Sequence, residues 1–241
     1  MRSAISLPGF ERLRQVCRIH GMELHQEPLG SLAPVAGESV AGLPCDPVLA
    51  DVHARVGHVV LTDGFLLLSG NEEGGSVLES ENKEWRQQWP APFKDLLVFA
   101  KEPALAYYFA TVPSLADDQG IQPVVWVDTY EDLCAIPIAS SVDRFFDTYS
   151  RALERWVELI REDAESKARD EAKFGPPPPD SLSALLDEQT PVLNFPWEAL
   201  DLIARDEPLV ELLRAGRFDF LMESCPDALS WAARVLAAAS P

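Results

Sequence analysis

Between Phe93 and Trp156 the hydrophobic positions follow two different periods in turn. Leu96 to Ala100 is an unbroken apolar run, Leu105 to Val112 is rich in aromatic and β-branched residues, and Val124 to Val127 is apolar on both faces around Trp126. Runs of this length, bounded by Lys101-Glu102-Pro103 and by a loop rich in Asp, Gly and Pro, predict three strands. From Val142 the spacing changes. Val142, Phe145, Phe146, Tyr149, Leu153, Trp156, Val157 and Ile160 recur at three- and four-residue steps, with Ser140 and Asp143 as the expected capping box, which predicts one face of a long helix. A bare sheet would leave an apolar face in water, so this helix is expected to lie across an antiparallel sheet.

The flanking segments add shorter elements. Pro8 opens a predicted helix with Phe10, Leu13, Val16 and Cys17 on its buried side and Gly21 as its stop. Glu27 to Pro47 is punctuated by Pro and Gly and predicts an irregular loop, and Val48 to Val56 predicts a short helix behind Asp46-Pro47. The apolar runs starting at His58 and Phe65 bracket Thr62-Asp63-Gly64, a turn between two short strands. Trp85 and Trp89 stand at helical spacing, where packing is the expected role of large aromatics.

Beyond Ile160 the apolar face disappears. Arg161 to Lys173 is almost wholly polar, although opposite charges four residues apart, such as Glu165 and Arg169, support a continued helix. Gly175 and Pro176 to Pro179 then end it in a stiff connector. Helical patterns resume at Ser181 to Glu188, Trp197 to Arg205, Pro208 to Ala215 and Asp227 to Ala239. The expected organisation is an α+β domain over residues 1–160, a mostly antiparallel sheet flanked by helices. A charged helix extension and proline linker follow over 161–179, and a small helical appendage over 180–241. A unit of roughly sixty residues is marginal alone, so the appendage is expected to dock on the first domain.

Composition narrows the partners. With 47% hydrophobic residues in a chain of 241, a sizeable core needs no disulfide or metal to hold it. The formal net charge of -19 makes nucleic acid and anionic membrane poor partners and a basic protein a better one, although acidity also serves solubility. The four cysteines, Cys17, Cys45, Cys134 and Cys225, are widely spaced and form no C-x-x-C, so zinc-finger and redox spacings are absent. No continuous apolar stretch precedes Pro8 and the charges at Glu11 to Arg14, and no run reaches membrane-spanning length. A cytoplasmic location is the expectation.

Catalytic signatures are absent. There is no G-x-S-x-G, H-E-x-x-H or G-x-G-x-x-G behind a strand, and no Cys beside a His. His20 and His25, like His53 and His58, are five residues apart, which does not suit two ligands on one helical face. The glycines from Gly70 to Gly75 lack the Lys-Ser/Thr of a phosphate loop and carry glutamates that would repel phosphate, so they predict a surface turn. The acidic cluster is the one candidate site: Asp117 and Asp118 in SLADDQGIQ, then Asp128, Glu131 and Asp132 in WVDTYED. It admits a divalent-metal or general-acid site, a negative docking patch for a basic protein, or plain solvated turns and helix caps. Ligand spacing of the EF-hand type is missing, and no catalytic residue or cofactor is assigned.

One resemblance rests on the order of elements. Leu43-Pro44 before a short helix, two strands ending in Leu-Leu-Leu, then LLVFA, ALAYYFATV and PVVWVD, and finally SSVDRFFDTYSRAL resemble the SUKH superfamily of Syd-like and yeast cell-wall-assembly-regulator-like proteins. The resemblance covers residues 8–160 and stops short of Gly175. It implies a non-enzymatic binding domain, and bacterial members are mostly immunity proteins that neutralise a cognate polymorphic toxin, often a nuclease. An acidic inhibitor facing a basic nuclease is physically consistent with that. The acidic edge formed by Asp117, Asp118, Asp128, Glu131 and Asp132 is then the expected contact surface. Two alternatives stand beside it: a regulatory adaptor of the same fold that uses the helical tail for a second partner, and a metal-assisted enzyme using the Asp117/Asp118 loop with Asp128.

Overall fold

The long helix lies where its spacing places it, over Val142–Phe174, with Val142, Phe145, Phe146, Tyr149 and Leu153 fully buried. The computed structural model describes residues 5–22, 24, 34–56, 59–61, 66–67, 70–72, 75–102, 106–130, 133–175 and 193–240. Within them the chain is α+β. Helix α1 (Pro8–His20) leads to a small hairpin of β1 (Ser39–Val40) and β2 (Leu43–Pro44), then to α2 (Pro47–Arg55). Strands β3 (Val59–Val60) and β4 (Leu66–Leu67), a second hairpin of β5 (Gly70–Glu72) and β6 (Gly75–Ser76), and α3 (Val77–Gln88) follow. Strands β7 (Leu97–Glu102), β8 (Tyr107–Thr111), β9 (Val124–Asp128) and β10 (Cys134–Ala139) precede the long helix, α4. After residue 193 come α5 (Leu200–Ile203), α6 (Glu207–Arg214), α7 (Asp219–Met222) and α8 (Pro226–Ala238).

The main sheet has the order β10-β9-β8-β7-β4-β3, and every described pairing in it is antiparallel. Strand β10 was not expected. Its sequence, CAIPIA, is buried at every position, but it follows an acidic turn directly and contains Pro137, which demotes a run to an edge strand or to no strand at all. An edge strand is what it is.

Each face of the sheet has its own cover. Phe109 points towards α4, its ring 5.1 Å from Phe145 and 6.3 Å from Tyr149, and Phe99 meets Phe145 edge-on at 5.7 Å. The preceding residue, Tyr108, faces the other way, as strand alternation requires, and packs at 5.1 Å on Trp85 of α3. Asn82 of α3 bonds both the N–H and the carbonyl of Val98, beside the bulge where β7 and β8 shift register. Helix α1 then lies on α4, close enough that a Cβ on Gly9 would sit 2.0 Å from the Asp143 carbonyl oxygen.

Several local expectations move by a residue or a partner. The N-cap of α4 is Ser141, whose hydroxyl accepts from the Arg144 N–H, and not Ser140. The Asp143 carboxylate instead accepts from the Gly9 and Phe10 N–H groups at the start of α1, and burial pushes its pKa up. Helix α4 continues through the charged stretch, but Arg169 donates to the backbone carbonyl of Glu165, not to its carboxylate. Cys134 and Cys225, 91 residues apart, are joined in a disulfide, a pairing that sequence spacing did not announce. The expected turn at Thr62 to Gly64, the helix at Ser181 to Glu188 and the proline linker lie outside the described residues.

Phe145 touches more rings than any other side chain named here, and truncating it to alanine opens a cavity between sheet and helix. The Phe145→Ala variant should lose about 3 to 5 kcal/mol, read by chemical denaturation. An unchanged midpoint would remove Phe145 from the core.

Candidate functional site

Antiparallel register assembles one surface from residues distant in sequence. Ile136 stands opposite Trp126, and Cys134 stands opposite Asp128. Alternate residues share a face, so these four side chains project from the side of the sheet that carries Phe109, the partner of Trp126 on β8. The returning chain roofs them. Trp197 meets Trp126 edge-on at 6.1 Å, and Trp231 of α8 meets Trp197 edge-on at 5.0 Å. Cys225 caps α8, its Sγ accepting from the Ala228 N–H, and the disulfide ties this cap to β10.

A cavity of about 250 Å³ opens between the four strand residues, Trp197 and the segment 224–227. At about 30 Å³ per water molecule it has room for several. Among the described residues that line it, the ionisable side chains are the carboxylates of Asp128 and Asp227, with no Lys or Arg. Asp128 accepts from the Tyr130 N–H through Oδ1, and Asp227 lies in the first turn of α8, where the positive end of the helix dipole favours negative charge. Trp126 is only 4% exposed, and its indole N–H has no hydrogen-bond acceptor.

The three predicted acidic residues that the structure describes do not lie together. Asp117 and Asp118 precede β9 and Asp128 ends it, about 13 Å further along the strand from Val124 at the usual rise per residue. Asp117 is partly structural: its Oδ1 accepts from the Gln119 and Ile121 N–H groups and closes the turn, while Asp118 is exposed. Glu131 and Asp132 lie outside the described residues. No group of three or more His, Cys, Asp or Glu among the described residues could hold a metal ion. The Asp117/Asp118 loop and Asp128 therefore do not converge as the metal-assisted alternative requires. Sequence reasoning found Asp128 but missed Trp197 and Asp227, which lie in other elements and carry no local signal.

The acidic loop is anchored from below by a buried polar network. Asp46, the N-cap of α2, is fully buried and accepts from the N–H groups of Val48, Leu49 and Gln122. The Gln122 side chain accepts from the Thr111 hydroxyl and donates to the Pro44 carbonyl. Burial outweighs the three donors and pushes the Asp46 pKa from 3.8 up to about 6. Seven residues along, His53 is fully buried with no partner for either ring nitrogen, and burial lowers it from 6.5 to about 4. The adjacent Cys45 thiol is pushed up to about 12, chiefly by burial, and is inert as a nucleophile.

These two groups act on stability in opposite directions. Between pH 3.8 and about 6 the folded protein keeps a proton on Asp46 that the unfolded chain gives up, so this group lowers stability as pH rises. Between about pH 4 and 6.5 the unfolded chain holds a proton on His53 that the folded one lacks, so this group raises stability as pH rises. Each effect is about 3 kcal/mol, and they nearly cancel. Asp46→Asn removes the falling component. Its stability relative to wild type should therefore grow by about 3 kcal/mol from pH 4 to pH 6 in urea titrations, and a constant difference would mean Asp46 titrates normally.

Comparison of the chain with protein-family models, with curated proteins and with solved structures finds no match, so the geometry and charge above carry the functional reading.

Proposed function

We propose that this chain is a non-enzymatic binding protein of the immunity type, which neutralises a cognate basic toxin domain by direct contact. The observation that carries the reading is charge placement. A chain of net charge -19 displays carboxylates at both ends of β9, and at one end they border a cavity with no cation among its described lining residues. Long-range attraction of this kind speeds encounter with a basic partner, and carboxylates that meet Arg or Lys in the contact slow its departure. The SUKH resemblance supplies the class of partner. The adaptor alternative gives the C-terminal helices a second protein to hold, yet Leu221, Trp231 and Val235 are already buried against the rest of the chain.

No helix among the described residues is long and apolar enough to cross a membrane. The proposed place of action is the cytoplasm, where thiol buffers keep cysteines reduced and Cys134 and Cys225 would be paired thiols in bonding position. Alkylation at the moment of lysis should then label four cysteines after denaturation. Labelling of two would place the protein in an oxidising compartment and overturn the cytoplasmic assignment.

The functional test needs the cognate toxin domain, which the immunity reading expects in the reading frame next to that of this chain. Asp118→Lys combined with Asp117→Asn reverses the exposed charge and keeps the side-chain oxygen that closes the turn. Association measured by stopped flow should slow several-fold at low salt, and the gap should narrow as the Debye length falls below about 8 Å. A partner that binds at an unaltered rate would take the loop out of the interface, and an acidic partner would remove the charge argument itself.

A further inference from the structure

We infer that the cavity roofed by Trp197 and the start of α8 receives one arginine side chain of the basic partner; this rests on the binding reading above and adds its anchor point. Four observations converge. The cavity walls are two indoles, Trp126 and Trp197, set edge-to-face at 6.1 Å, and an indole face attracts a guanidinium through both stacking and its quadrupole. Among the described residues its ionisable lining groups are the carboxylates of Asp128 and Asp227, so a cation entering it finds two counter-charges and no competing cation there. Asp128 uses Oδ1 on the Tyr130 N–H, and Oδ2 has no hydrogen bond from the described residues. The Trp126 indole N–H, buried within the same wall, finds no acceptor among the described residues.

Arginine fits better than lysine on this geometry. Its planar fork can address a carboxylate while its face lies against an aromatic ring, whereas an ammonium is a compact and strongly hydrated point charge. The flexible stem of either side chain would lie along Ile136 and the sulfurs of Cys134 and Cys225, the apolar parts of the lining. The walls come from two segments that meet where Cys134 and Cys225 lie side by side, and Trp231 holds α8 against β10 through its bond to the Pro137 carbonyl whether or not the two sulfurs are joined.

The test needs no partner protein. In the ¹⁵N-labelled chain the six tryptophans give six indole signals, and Trp197→Phe assigns one of those at the cavity. Titration with N-acetyl-arginine amide should shift the Trp126 and Trp197 signals saturably and leave the Trp231 signal in place. N-acetyl-citrulline amide, equal in shape but uncharged, should leave all six unmoved. The double variant Asp128→Asn, Asp227→Asn should weaken the arginine response by about ten-fold, the loss expected when two partly exposed charge pairs are removed. Unmoved indoles with the arginine probe, or equal shifts with the citrulline probe on the wild-type chain, overturn the inference whatever the variant does. Failure of the probe with a toxin domain that still binds removes this anchor alone. A probe that binds, beside a cognate domain that does not, removes the immunity reading and leaves the cavity as an arginine site.

Discussion

An antiparallel meander ends in an edge whose outward backbone groups have no strand to pair with, and here that edge is β10. Leaving it bare would cost hydrogen bonds and invite another chain to pair. The protein answers with side chains from its C-terminal helices. Trp231 donates its indole N–H to the Pro137 carbonyl at 2.9 Å, and Asp206 accepts from the Ser140 N–H at 2.8 Å while capping α6. Pro137 itself has no N–H to satisfy. To reach this edge the chain must return from the far end of α4, and Arg155 fixes that return by gripping Asp201 with two 2.8 Å bonds, which hold the Asp201 carboxyl below its ordinary range. The same helices that seal the edge form the roof over Trp126 and Asp128.

Much of the fold was legible in the sequence because each element carried its own period. The apolar residues of α1 and α4 recur at helical steps and are buried as a face, and Gly21 and Asp46 cap where their chemistry favours it. What escaped were features decided by tertiary context. Strand β10 carries a proline that is tolerable only because the strand is at the edge, and edge position is a property of the assembled sheet. Asp143 looked like half of a capping box, yet its carboxylate serves a second helix 133 residues away. Cys134 and Cys225 sit in unrelated segments, and only the packing of α8 on β10 makes them neighbours.

The candidate site was less legible for the same reason. Five acidic residues close in sequence looked like one surface, but β9 intervenes and carries Asp128 away from Asp117 and Asp118. Asp128 was found because it sits in a recognisable turn, whereas Trp197 and Asp227 belong to the roof and are brought to it by contacts, not by spacing. Tryptophan at position 126 looked like core, and it is; that a wall of core can also line a cavity is visible only once strand register is known.

The crossing of α1 on α4 sets an order of events during synthesis. Gly9 and Phe10 donate to Asp143, and Arg12 pairs with Glu154, so α1 contacts residues 133 to 142 positions further on. At the usual 5 to 20 residues per second of translation, the apolar face of α1 waits roughly 7 to 27 s for its binding surface to be made. Through that interval Phe10, Leu13 and Val16 have nothing of α4 to cover them, and the first helix written is among the last to be seated. An acidic chain gains from its charge here as well, because nascent copies on neighbouring ribosomes repel one another while that face is open.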